Sequence, residues 1–106
     1  MRLNEQERIA ISQAAAETLP SGALVSLFGS RTDDTRKGGD IDLLVETQQS
    51  IPAEQWVAQR SRFVASIWRR LGEQRIDVVL AKISEADQRP IVQQARKAAI
   101  RLAEVK

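Results

Sequence analysis

Helical spacing of apolar positions opens the chain. Ile9, Ile11, Ala15, Ala16 and Leu19 make a rough stripe at three- and four-residue intervals. Asn4-Glu5-Gln6-Glu7 precedes it and reads as a capping box, with Asn4 as N-cap and Glu7 at N3. Pro20-Ser21-Gly22 stops this helix. Residues 23–28 form an apolar run that reads as a mostly buried strand ending at Gly29. Residues 30–39 are polar and rich in breakers, and read as a loop. A second strand is expected over residues 40–46, then a short connection over 47–51. Pro52 suits a first helical turn, with Ser50 as its cap, and the helix runs to Leu71. Its expected core stripe is Val57, Val64, Trp68 and Leu71, widened by Trp56, Phe63 and Ile67. Gly72 ends it. Residues 76–81 make a third strand. Ser84-Glu85-Ala86-Asp87 resembles another cap, and Pro90 opens a final helix expected to bury Ile91, Val92, Ala95, Ala98, Ala99 and Leu102.

The order is helix, strand, strand, helix, strand, helix. It predicts an α/β architecture in which helices pack on a small mixed sheet of three or slightly more strands. The short, Gly-containing link between the first two strands suits antiparallel neighbours. The long helix before the third suits a crossover. A chain of 106 residues fits one domain spanning residues 1–106.

Composition removes several chemistries. There is no Cys, so thiolate metal sites and disulfides are excluded. There is no His, which removes the usual general base and zinc ligand. Any catalysis must use carboxylates, hydroxyls, Lys or Arg, and bound metal. No apolar run reaches the length of a membrane span and the N-terminus does not read as a signal peptide, so a soluble cytoplasmic protein without membrane partners is expected.

The net charge of +2 hides an asymmetry. Residues 1–53 carry five basic and eight acidic side chains, a net of −3. Residues 54–106 carry eleven basic and six acidic, a net of +5. The basic series Arg89, Arg96, Lys97 and Arg101 has two readings, a solvated face or a dock for an acidic partner. Direct nucleic-acid binding is not expected, because no basic stretch is interleaved with aromatics.

The chemistry concentrates at two places. Leu27-Phe28-Gly29-Ser30-Arg31 ends one apolar run in a Gly-Ser turn, and Gly39-Asp40-Ile41-Asp42-Leu43 puts two acids into the next. Strands repeat every two residues, so Asp40 and Asp42 share a face, roughly 7 Å apart by strand rise. Such a pair suits hard cations such as Mg²⁺. A Gly-Ser turn can turn backbone N–H groups and a hydroxyl toward phosphate oxygens. Asp77 lies inside the third apolar run, where an acid is costly to bury unless paired or metal-bound. Beside Asp40 and Asp42 it would complete a two-metal site and could accept a proton from an attacking hydroxyl.

Phe28-Gly29-Ser30, then Asp40-Ile41-Asp42 after nine residues, then Asp77 resembles the signature of the DNA polymerase β-type nucleotidyltransferase superfamily. Within it the chain is most similar to the minimal nucleotidyltransferases (MNT), and the resemblance covers nearly the whole chain. It implies the nucleotidyltransferase fold. It implies that Asp40, Asp42 and Asp77 bind two Mg²⁺ ions, with Asp77 also helping to deprotonate the acceptor. Gly29 and Ser30 would hold the β- and γ-phosphates of ATP. Arg31 and Lys37 would neutralise phosphate charge; for Arg31 a partnership with the acid cluster is the alternative. The reaction implied is transfer of AMP from ATP to a hydroxyl with release of pyrophosphate. The setting implied is a toxin–antitoxin pair, in which the MNT antitoxin adenylylates a tyrosine of a helical HEPN toxin. Two other functions remain open at this point: neutralisation by binding alone, and transfer to a small-molecule hydroxyl in a pocket between two copies. A homodimer or a hetero-complex is expected over a lone monomer. Asp33 and Asp34 read as solvated loop acids, and Trp56, Phe63 and Trp68 as core rather than base-stacking surface.

Overall fold

The computed structural model describes residues 3–29 and 41–106. Helix α1 (Glu5–Thr18) starts at the expected capping box. The Glu7 N–H donates to the Asn4 side chain at 2.7 Å, and the Asn4 N–H donates to Glu7 Oε1 at 3.1 Å. Its buried face is Ala10, Ile11, Ala14 and Ala15, with Leu19 just beyond. Ile9 and Ala16, expected in the stripe, are exposed. The buried alanines, Ala10, Ala14 and Ala15, present small side chains to the neighbouring elements.

Strands β1 (Leu24–Phe28) and β2 (Ile41–Thr47) pair antiparallel, as their short link predicts. Helix α2 (Ala53–Leu71) crosses over to β3 (Ile76–Lys82), which pairs parallel with β2. Ser50 does not cap α2. Pro52 takes the N-cap position, where no side-chain hydrogen bond is made. At the other end Gly72 has φ +88° and its N–H donates to the Trp68 carbonyl at 2.7 Å.

The C-terminal region corrects the sequence reading. Helix α3 covers only Pro90–Ala98, and Ile100–Glu104 is a fourth strand, β4, antiparallel to β1. The sheet is therefore four-stranded and mixed, in the order β3-β2-β1-β4. Nothing local separates helix from strand around Ala99. The open hydrogen-bonding edge of β1 decides it, because an unpaired buried edge is costly. Leu102 is buried as expected, but from a strand; Ala98 and Ile91 are not in the core. The Ser84-to-Asp87 signal also resolves differently. Ser84 takes a left-handed turn position (φ 60°), and Asp87 accepts the Arg89 N–H at 3.0 Å ahead of Pro90.

Strand alternation sorts the side chains onto two faces. Val25 and Leu27, then Ile41, Leu43 and Val45, face α1 and α2, where Phe63, Ile67 and Leu102 close the main core. Phe28, Leu44 and Ala81 face α3 and pack with Val92 and Ala95. Helix α3 covers only the far part of that face. It is tied there by Arg96, whose Nε meets Glu46 Oε2 at 3.1 Å and whose other nitrogens donate to the Glu85 and Lys82 carbonyls. Arg89 donates to the Leu80 carbonyl and forks onto Asp87. These two members of the basic series hold the fold. The Arg89 guanidinium takes the Asp87 carboxyl down to about 2.

The stripe on α2 is also corrected. Its buried residues are Phe63, Ser66 and Ile67, with Trp56 and Leu71 packed beside them. Val57 and Trp68 are exposed. The true core face is rotated by one position, about 100° on a helix. The reason is α1: Glu17 accepts from Arg69 at 2.9 Å and Arg70 at 3.1 Å, and Ser66 is fully buried beside them. The Arg70 hydrogen bond, chiefly, holds the Glu17 carboxyl below the ordinary range.

Candidate functional site

The register places the candidate residues before any chemistry is invoked. Phe28 stands opposite Asp42, and Asp42 stands opposite Asp77. The last residue of β1 and the second residues of β2 and β3 thus form one row across three strands. Odd–even alternation turns both acids toward the α3 side, at the end of that face which α3 leaves uncovered. Two carboxylates directly opposite on neighbouring strands repel each other unless cations or donors lie near.

Gly29 follows the row and explains its own identity. Its φ is +79°, a backbone conformation that L side chains rarely adopt. A Cβ there would overlap Asp42 Oδ2 and stand 3.1 Å from Asp42 Cγ. Only glycine brings the turn this close to the carboxylate. The candidate phosphate turn and the candidate metal ligand are therefore in contact through bare backbone.

Both acids open into a cleft of about 630 Å³. One wall is α2, through Arg60, Ser61, Val64, Ala65 and Trp68. The floor is β3 from Ile76 to Val79, and Phe28 and Ile91 close the other side. Trp68 is fixed in the wall by its indole Nε1–H, which donates to the Gln74 carbonyl at 2.8 Å. Arg60 forms no ion pair with another described residue. These wall residues were not candidates from sequence. The signal was present: α2 carries two apolar stripes one position apart, and a helix packed on one core needs only one.

Of the sequence candidates, Gly29, Asp42 and Asp77 come together here. Ser30, Arg31, Lys37, Asp40, Asp33 and Asp34 lie outside the described residues. Among the described residues no three acidic side chains gather into a metal-holding group; the described part is the Asp42 and Asp77 pair.

A nucleotidyltransferase domain model matches residues 9–101. The chain belongs to the nucleotidyltransferase domain family. No curated protein sequence matches it. This nucleotidyltransferase domain is similar in fold to several solved structures. One is a toxin–antitoxin with AMP-PNP, at 20% identity and TM-score 0.61, covering 97% of this chain and 76% of that one. Another is a tri-AMPylated Shewanella oneidensis HEPN toxin in complex with MNT antitoxin, at 20% identity and TM-score 0.59, covering 93% and 71%. A third is the toxin–antitoxin MntA-HepT, at 20% identity and TM-score 0.61, covering 96% and 74%. No helix among the described residues is long and apolar enough to cross a membrane.

Proposed function

We propose that this nucleotidyltransferase transfers AMP from ATP to a tyrosine hydroxyl of a HEPN-type toxin, and so serves as the antitoxin of a pair. The observation that carries the proposal is the contact of Gly29 with Asp42, next to Asp77, at the mouth of one cleft. The complexes of similar fold, one with AMP-PNP and one with a tri-AMPylated toxin, support the donor and the acceptor class.

The donor set fits a hard divalent cation. It offers carboxylate oxygens only, in a chain without His or Cys. Asp42 and Asp77, with Asp40, would hold two Mg²⁺ ions, which when bound supply neutralisation of triphosphate charge. The chain's own groups do the rest. The Gly29 backbone, with Ser30 and Arg31, would hold the β- and γ-phosphates. Asp77 would take the proton of the acceptor hydroxyl. The acceptor oxygen then bonds to the α-phosphorus, the bond from that phosphorus to the bridging oxygen of the β-phosphate breaks, and pyrophosphate leaves with the electron pair. The cleft wall of Val64 and Trp68 would exclude water from this exchange.

The test is intact-mass spectrometry of a HEPN-type partner coexpressed with the wild type and with the Asp42→Asn/Asp77→Asn double variant. A gain of one or more AMP units with the wild type only is expected. A partner that is neutralised with unchanged mass would show that binding alone does the work. Single substitution of the proton acceptor, Asp77→Asn, should slow transfer by on the order of 10²- to 10⁴-fold.

A further inference from the structure

Among the described residues, the β3 edge of the sheet is open on one half and closed on the other. The parallel register and the Ile41 N–H to Arg75 carbonyl bond (3.1 Å) send the backbone groups of odd-numbered residues toward β2. The Ile83 N–H to Thr47 carbonyl bond (2.8 Å) continues the same pattern. The N–H and C=O groups of Ile76, Val78, Leu80 and Lys82 therefore point outward. Arg89 caps the Leu80 carbonyl and Arg96 caps the Lys82 carbonyl, so the far half is blocked against a further strand. Ile76 and Val78 have no such cap among the described residues. They form the floor of the cleft that holds Asp77.

Two exposed apolar side chains line the cleft beside this half-edge. Trp68 (38% exposed) lies in the α2 wall, and Ile91 (49%) stands opposite. Arg60, on that α2 face, adds a cation without an ion-pair partner among the described residues.

We propose that the open half of β3 docks the acceptor as an added strand: an extended polypeptide segment with its tyrosine opposite Asp77 and an acidic neighbour toward Arg60. This rests on the transfer function proposed above and names how its acceptor is held. Residues opposite each other on paired strands share a face. The tyrosine opposite Asp77 thus faces the two carboxylates, while the residues on either side of it turn to the Val64, Trp68 and Arg60 wall. Main-chain bonds to Ile76 and Val78 supply affinity, and the alternating pockets supply selectivity. The arginine caps at Leu80 and Lys82 end the pairing and so fix the register. Continuity of the open edge with the candidate catalytic pair, and the cation at its rim, select an acidic tyrosine-bearing segment over a second copy of this chain.

Val78→Pro tests the docking directly. The Val78 N–H points away from β2, so proline removes a docking donor without removing a bond of the sheet. Val78→Ala keeps the donor and controls for lost side-chain packing. With a HEPN-type partner as probe, Val78→Pro is expected to weaken binding by about tenfold relative to Val78→Ala. Arg60→Ala should produce a smaller loss. In wild-type protein, amide hydrogen exchange at Ile76 and Val78 should slow when the partner is added, whatever the fate of the proline variant. Equal partner affinity for the two Val78 variants, or unprotected Ile76 and Val78 amides in a formed complex, would overturn strand docking and leave the transfer function standing. Protected amides on a partner that gains no AMP would support docking and count against the transfer function alone.

Discussion

Two apolar stripes run along the same helix, and they have different neighbours. Phe63 and Ile67 on α2 are fully buried against the sheet and α1. Val64 and Trp68, one position on, line the open cleft. Their chemistry is alike; what differs is whether a partner element of the chain lies over them. The buried stripe secures α2, and the open one shapes the space in front of Asp42 and Asp77. Apolar side chains left open beside carboxylates carry more information about function than the same side chains in a core.

The comparison can be broken by truncating each stripe. Phe63→Ala should cost about 3–5 kcal/mol of stability, because it empties a fully closed site. Denaturant titration checks this. Trp68→Ala should cost only about 1 kcal/mol, largely its bond to the Gln74 carbonyl, while reducing partner affinity. A large stability loss from Trp68→Ala would put both stripes in the core and remove the functional contrast. Gly29→Ala sharpens the comparison from the other end of the cleft. Forcing a Cβ against Asp42 at φ +79° should cost about 1 kcal/mol or more and lower ATP affinity, read by calorimetry.

Smaller effects mark regions remote from the cleft. Asn4→Ala removes the capping box of α1 and should cost about 1 kcal/mol without altering transfer. Asp87 gives a pH signature. Its carboxyl, ordinarily at 3.8, is taken down to about 2 by Arg89. The unfolded chain therefore binds this proton first as pH falls, and the contribution present above about pH 4 is lost toward pH 2. Asp87→Asn should make acid unfolding shallower in that window, measured by circular dichroism, and leave neutral-pH activity unchanged.

Sequence alone determined much of this protein, for local reasons. The capping box at Asn4, the strands around Phe28, Leu43 and Val78, and the breakers at Pro20 and Gly72 are each encoded within a few residues. The spacing of Phe28-Gly29-Ser30, Asp40-Ile41-Asp42 and Asp77 along the sequence carried the family, and the family match spans the same stretch. Tertiary structure alone decided the rest. Residues 100–104 have no local signal separating strand from helix; the unpaired edge of β1 makes them a strand. The rotation of α2 depended on where α1 and Glu17 lie, which no spacing within α2 encodes. Most consequentially, Asp42 and Asp77 are 35 residues apart, and only the parallel register of β2 with β3 sets them side by side. Register is a property of two strands together, so the pairing, the cleft and its open edge exist only once the sheet has formed.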